Sequence, residues 1–172
     1  AWLMRETVIV HYAAYAAATA EEAEGRLLDA LRSGHGLAKL KEMITAQGGD
    51  ARVCDDVTLL PQAAVVCDVP APTDGFIQSM ETTHLGALAQ HIGAGRRVKT
   101  DVIDYSVGFV LRHRIGDYVG AGDALATVYC RNQEDADLAT LSIQNAIPIL
   151  NHRVPPLTLV HALVEAEKIT RY

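Results

Sequence analysis

Gly48-Gly49 divides this sequence into two textures, and the division limits the folds open to it. Before it, apolar residues recur at helical spacing; beyond Pro61 they come in short runs broken by glycine and proline. A helix is expected over 2–17, with Trp2, Ile9, Ala13 and Ala16 on one face. Thr19-Ala20-Glu21-Glu22 has the form of a capping box opening a second helix, whose stripe is Ala23, Leu27, Ala30 and Leu31 and whose end is Ser33-Gly34. A third helix starts near Gly36, turns Leu37, Leu40 and Ile44 inward, and stops at Gly48-Gly49. Asp50 to Pro61 is a polar connector.

The second texture predicts strands over 63–69, 107–114 and 124–130, with Pro70 to Pro72 as a kink and Asp74-Gly75 turning the chain into 76–80. Thr82 or Thr83 would cap a short helix over 84–92, closed by Gly93-Ala94-Gly95, and another helix covers 133–146. Alternation at Leu157, Leu159, His161 and Leu163 suggests a last strand. The fold class is therefore α+β. A helical segment, 1–61, precedes a β-rich domain, 62–172.

Charge narrows the function classes. Fifteen Lys and Arg against 21 Asp and Glu leave a net charge of −6, the wrong sign for a phosphate-backbone binder. Aromatics make up 5% of the chain, fewer than a base-stacking module uses. No apolar run approaches the ~18 residues of a membrane span, and residues 1–10 lack a signal-peptide layout. Neither nucleic acid nor membrane is an expected partner. Cys54, Cys67 and Cys130 are too scattered for a disulfide framework or a zinc site, which fits reduced thiols in the cytoplasm.

No chemistry-bearing constellation stands out. His84 and His91 lie two turns apart on one helix, without the i, i+4 spacing or neighbouring ligands of a zinc helix. His113, between Arg112 and Arg114, reads as part of a solvated strand face, and His11, His35, His152 and His161 lack a Cys or Ser partner at motif spacing. Gly93-Ala-Gly-Arg-Arg follows a helix instead of opening one, so its amides are not set up to cradle a phosphate. Arg96, Arg97 and Lys99 mark a solvated turn, and Asp101 and Asp104 read as turn carboxylates. The stretch 116–123 lacks the Lys-Ser/Thr ending of a P-loop and reads as two tight turns.

Two resemblances bear on this. Residues 69–77, Val-Pro-Ala-Pro-Thr-Asp-Gly-Phe-Ile, resemble the opening strand of biotinyl and lipoyl carrier domains, and 107–126, with G-D-x-V-x-x-G-D-x-L, resemble their second half. Carriers place a modifiable Lys on a tight hairpin. Lys99 instead follows a helix that separates the two halves, so a carrier is the weaker resemblance. A stand-alone interaction module is a third reading.

The stronger resemblance is to the C-terminal part of the pyrimidine-nucleoside and thymidine phosphorylase family. It rests on 33–50 (Ser-Gly-His-Gly through Ala-Gln-Gly-Gly-Asp), 85–96 (Leu-Gly-Ala-Leu through Gly-Ala-Gly-Arg), and Asp101-Val-Ile-Asp followed by 107–125. It implies an α/β-hammerhead C-terminal subdomain, a biotinyl-carrier-like half-barrel, preceded by helices belonging to a larger α/β domain. It further implies a cytoplasmic homodimeric transferase, without cofactor, that cleaves pyrimidine nucleosides with inorganic phosphate. The family's phosphate-holding motif and its base-holding Arg, Ser and Lys lie upstream of the matched stretches. No catalytic, phosphate-binding, substrate-binding or metal residue carries over. Phosphate and nucleoside would be held by an upstream region, and this chain alone is expected to be a catalytically incomplete C-terminal fragment.

Overall fold

A computed structural model describes residues 19–155, 158, 161–164 and 169–171. The helix expected over 2–17 lies outside them, as do Leu157 and Leu159 of the last expected strand. The chain forms two compact units, divided at 59/60 and again at 159/160.

In the first unit, α1 (Ala20–Arg32) opens at Thr19, whose hydroxyl accepts from the Glu22 N–H at 3.1 Å. Glu21 and Glu22 in its first turn and Arg32 in its last suit the helix dipole. Ala23 is fully buried and Leu27 and Ala30 half-buried, but Leu31, expected in the same stripe, is 63% exposed. Gly34, at φ 80°, makes the left-handed corner into α2 (His35–Ala46).

The inward face of α2 is not the expected one. Leu37 and Leu40 are exposed, and the covered side carries Lys41 and Ile44. The reason is the neighbour: the 3-10 turn Ala51–Cys54 packs on α2, Lys41 reaches Asp55, and Gly49 lies against Ile44. A Cβ on Gly49 would come within 2.9 Å of Ile44 Cγ2, so this glycine provides space. Its neighbour Gly48 takes the left-handed turn at φ 79°. The connector expected over 50–61 is a pair of short 3-10 turns, Ala51–Cys54 and Val57–Leu59. Each is preceded by an aspartate that accepts from the N–H two residues on, Asp50 from Arg52 and Asp56 from Thr58. A hairpin of β7 (Ala162–Val164) and β8 (Ile169–Arg171) also belongs to this unit.

The second unit holds two three-stranded antiparallel sheets. One has β1 (Val65–Pro70) and β3 (Gly108–Leu111) flanking β5 (Ala124–Cys130). The other has β4 (Tyr118–Val119) and β6 (Ile149–Leu150) flanking β2 (Gly75–Ile77). Successive strands from β1 to β6 alternate between the two sheets. The Pro70-Ala71-Pro72 kink, expected from sequence, carries the chain from β1 to β2.

Helix α4 (Gln133–Ala146) packs on β1 and β5 through Ala136, Ala139, Ile143 and Ala146, all fully buried. Three alanines along that stripe let the helix lie close to the sheet. Helix α3 (Thr82–His91) packs against α4 and buries Leu85 and Leu88, with Ile92 just beyond its end. These join Val69, Ile77, Val119, Leu125, Val128 and Ile147 in one core. Each fully buried aliphatic side chain there contributes about 1.5–3 kcal/mol.

Several details differ from expectation. The N-cap of α3 is Glu81, not Thr82 or Thr83, because the Glu81 N–H is held by the Ala146 carbonyl at 3.0 Å and that tertiary bond sets where the helix begins. Strand β3 ends at Leu111, short of Arg114, as the chain turns at 114–117 into the other sheet. Strands β4 and β6 have two residues each, too short to show alternation in the sequence.

Candidate functional site

The G-D-x-V-x-x-G-D-x-L motif folds as two copies of one device. In the first, Gly116 sits at φ 90° and the Asp117 carboxylate accepts from the Arg114 N–H at 2.7 Å. In the second, Gly122 sits at φ 89° and Asp123 accepts from the Gly120 N–H at 2.7 Å. Each Gly-Asp pair then brackets one residue of the β1–β2 segment. The Gly116 N–H donates to Ile77 O and the Ile77 N–H to Asp117 O, at 2.8 and 2.9 Å. The Gly122 N–H likewise donates to Ala71 O and the Ala71 N–H to Asp123 O, at 2.9 and 2.8 Å. The tight turns expected over 116–123 are thus seams between strands.

The other carboxylates singled out in the sequence are also committed to turns. Asp101 Oδ2 accepts from the N–H groups of Val98 and Arg97 at 3.1 and 2.9 Å. Those two bonds, with the nearby Arg97 and Arg96 cations, hold its carboxyl below the usual range. Asp104 Oδ1 accepts from Ser106 Oγ at 2.6 Å and from its N–H at 2.9 Å, which lowers its pKa, and the Arg131 charge adds to this. Carboxylates held ionised in this way are unlike a general acid or base poised near neutral pH. Arg96, Arg97 and Lys99 are exposed around the turn that Asp101 closes. Lys99 stands between α3 and β3, on a turn and not on a hairpin.

His84 and His91 are exposed on α3. His113 lies just past β3 instead of on a strand face; it is 28% exposed, with Nδ1 4.0 Å from Asp117 Oδ2. Among the described residues, no three His, Cys, Asp or Glu side chains converge as a metal site. Burial pushes the Cys130 thiol up to about 11, helped by the charge of Asp135, so it stays protonated in the core.

Two constellations escaped the sequence reading. Thr127 is 5% exposed; its hydroxyl donates to Asp68 Oδ1 at 2.6 Å and accepts from Arg112 Nε and Nη2 at 3.0 and 2.7 Å. The donor and both acceptor positions of that hydroxyl are filled. Arg131 forms the second: it pairs with Asp135 at 3.3 Å and lies over Gly93, where a Cβ would sit 3.5 Å from its guanidinium carbon. The Gly93 carbonyl in turn accepts from the Asp104 N–H at 3.0 Å. Asp68 and Thr127 are 59 residues apart, so no local pattern announces them; in the second, the i, i+4 spacing of Arg131 and Asp135 was a local clue. Both constellations join groups of the same chain, and in the first the polar capacity of the hydroxyl is filled.

Residues 76–150, from β2 through β6, match the pyrimidine nucleoside phosphorylase C-terminal domain family. The chain is 37% identical over 146 residues to the pyrimidine-nucleoside phosphorylase of Bacillus subtilis (strain 168), an alignment covering 85% of this chain and 33% of that protein. With the pyrimidine-nucleoside phosphorylase of Staphylococcus aureus (strain USA300) it shares 38% identity over 148 residues, 86% of this chain and 34% of that protein. The chain spans about a third of the length of the curated relatives it matches. The chain is thus similar over most of its length to the pyrimidine-nucleoside phosphorylases, and residues 76–150 are similar to the C-terminal domain of that family.

Proposed function

We propose that this chain acts as the C-terminal portion of a pyrimidine-nucleoside phosphorylase, a pentosyltransferase of nucleoside salvage. The whole enzyme takes uridine or thymidine with inorganic phosphate and returns the free base and ribose or deoxyribose 1-phosphate. The observation carrying this reading is the alignment with the two named enzymes over 85% or more of the chain, in agreement with the domain match at 76–150. Phosphorolysis needs cations and amides around the phosphate and a partner for the charge that develops on the departing base. In this reading both sets come from the region the relatives have and this alignment does not cover. No catalytic, phosphate, substrate or metal residue is assigned here.

Residues 62–172 would form the α/β-hammerhead subdomain, supported over 65–150 by strands alternating between two sheets and by the paired Gly-Asp seams, while the β7–β8 hairpin falls in the other compact unit. Residues 1–61 would continue a larger α/β domain, whose sheet covers the apolar side chains that α1 and α2 leave exposed. That domain would close as one lobe against a second, base-holding lobe. The assembled enzyme would be a cytoplasmic homodimer without a cofactor. No helix among the described residues is long and apolar enough to cross a membrane.

The test has two arms. The purified 172-residue chain, incubated with uridine or thymidine and phosphate, should release no uracil or thymine. The same chain replacing the aligned third of the Bacillus subtilis enzyme should give an active phosphorylase. Base release by the chain alone would refute the assignment, and so would a chimera that folds with native-like cooperativity yet is inert.

A further inference from the structure

We draw no further inference here: the strongest candidate, the exposed loop of residues 96–105 that carries Arg96, Arg97 and Lys99 beside Val98, Val102 and Tyr105, is a surface patch for which nothing in the structure shows what covers it.

Discussion

Thr127 faces outward on the central strand β5 yet is buried, because the Arg112 guanidinium reaches back over it from the end of β3. The bonds to Asp68 and Arg112 turn a hydroxyl that would otherwise cost free energy into a cross-link over three strands. Thr127→Val keeps the shape and removes the hydroxyl, and should destabilise the chain by about 1–2 kcal/mol in urea unfolding. Asp68→Ala, costly in the parent, should then cost almost nothing in the Thr127→Val background. Additive losses would show that Asp68 acts through some other contact.

The turn aspartates make a prediction of their own about acid. Hydrogen bonds from the Arg52 side chain and N–H pull Asp50 from its ordinary 3.8 to about 2. The Thr58 hydroxyl and N–H lower Asp56, and Asp101 and Asp104 are lowered as described above. A folded-state pKa below the unfolded one means the unfolded chain binds protons first as pH falls. The stabilisation is therefore complete above the ordinary carboxylate range and is lost as pH drops through 3.8 toward about 2. Thermal unfolding midpoints should hold down to pH ~5 and then fall. Asp50→Asn should flatten that acid limb; an unchanged slope would count against the Asp50 turn as a contributor.

At the scale of elements, two glycines of positive φ do different work. Gly75, at φ 149°, leaves no room: a Cβ would lie 2.4 Å from the Leu150 carbonyl oxygen and 2.8 Å from Ile149 Cγ2. Gly122, at φ 89°, has nothing within 4 Å of that position, so a side chain there meets only backbone strain. Gly122→Ala should cost about 1–2 kcal/mol. Gly75→Ala should cost more, since β2 must move off β6 to admit the methyl group. Amide exchange at β6 separates the two: faster at Ile149 and Leu150 in Gly75→Ala, unchanged in Gly122→Ala. Equal effects there would contradict the packing described.

Elements that announce themselves in the sequence are those whose determinants are local. Thr19 and Glu22 mark the start of α1, Asn132 accepts from the Asp135 N–H to start α4, and each Gly-Asp pair marks its own turn. Where a distant group decides, local reading fails. Ala146 moves the cap of α3 to Glu81, and the turn at 51–54 rotates the covered face of α2 away from Leu37 and Leu40. The same divide governs function. The twin Gly-Asp motif, on which both resemblances draw, was legible because its spacing is fixed by one repeated hydrogen-bond pattern. The Thr127 constellation and the approach of Arg131 to Gly93 were not, since strand register and tertiary packing assemble them from remote positions.

For the whole molecule, the placement of the core decides what can stand alone. Among the described residues, every member of the buried apolar cluster lies between Val69 and Ile147. Among described residues 19–59 the one buried apolar side chain is Ala23, while Leu31, Leu37, Leu40, Met43, Val57 and Leu59 are exposed. The segment 60–159 thus carries the hydrophobic driving force, and a chain of about 100 residues is enough to close such a core. Expressed alone, it should unfold in one cooperative transition in urea, with dispersed amide resonances. A molten 60–159, with helical signal but no resonance dispersion, would mean that the core needs the remaining residues to set its packing, and the division at 59/60 would then not be one of stability.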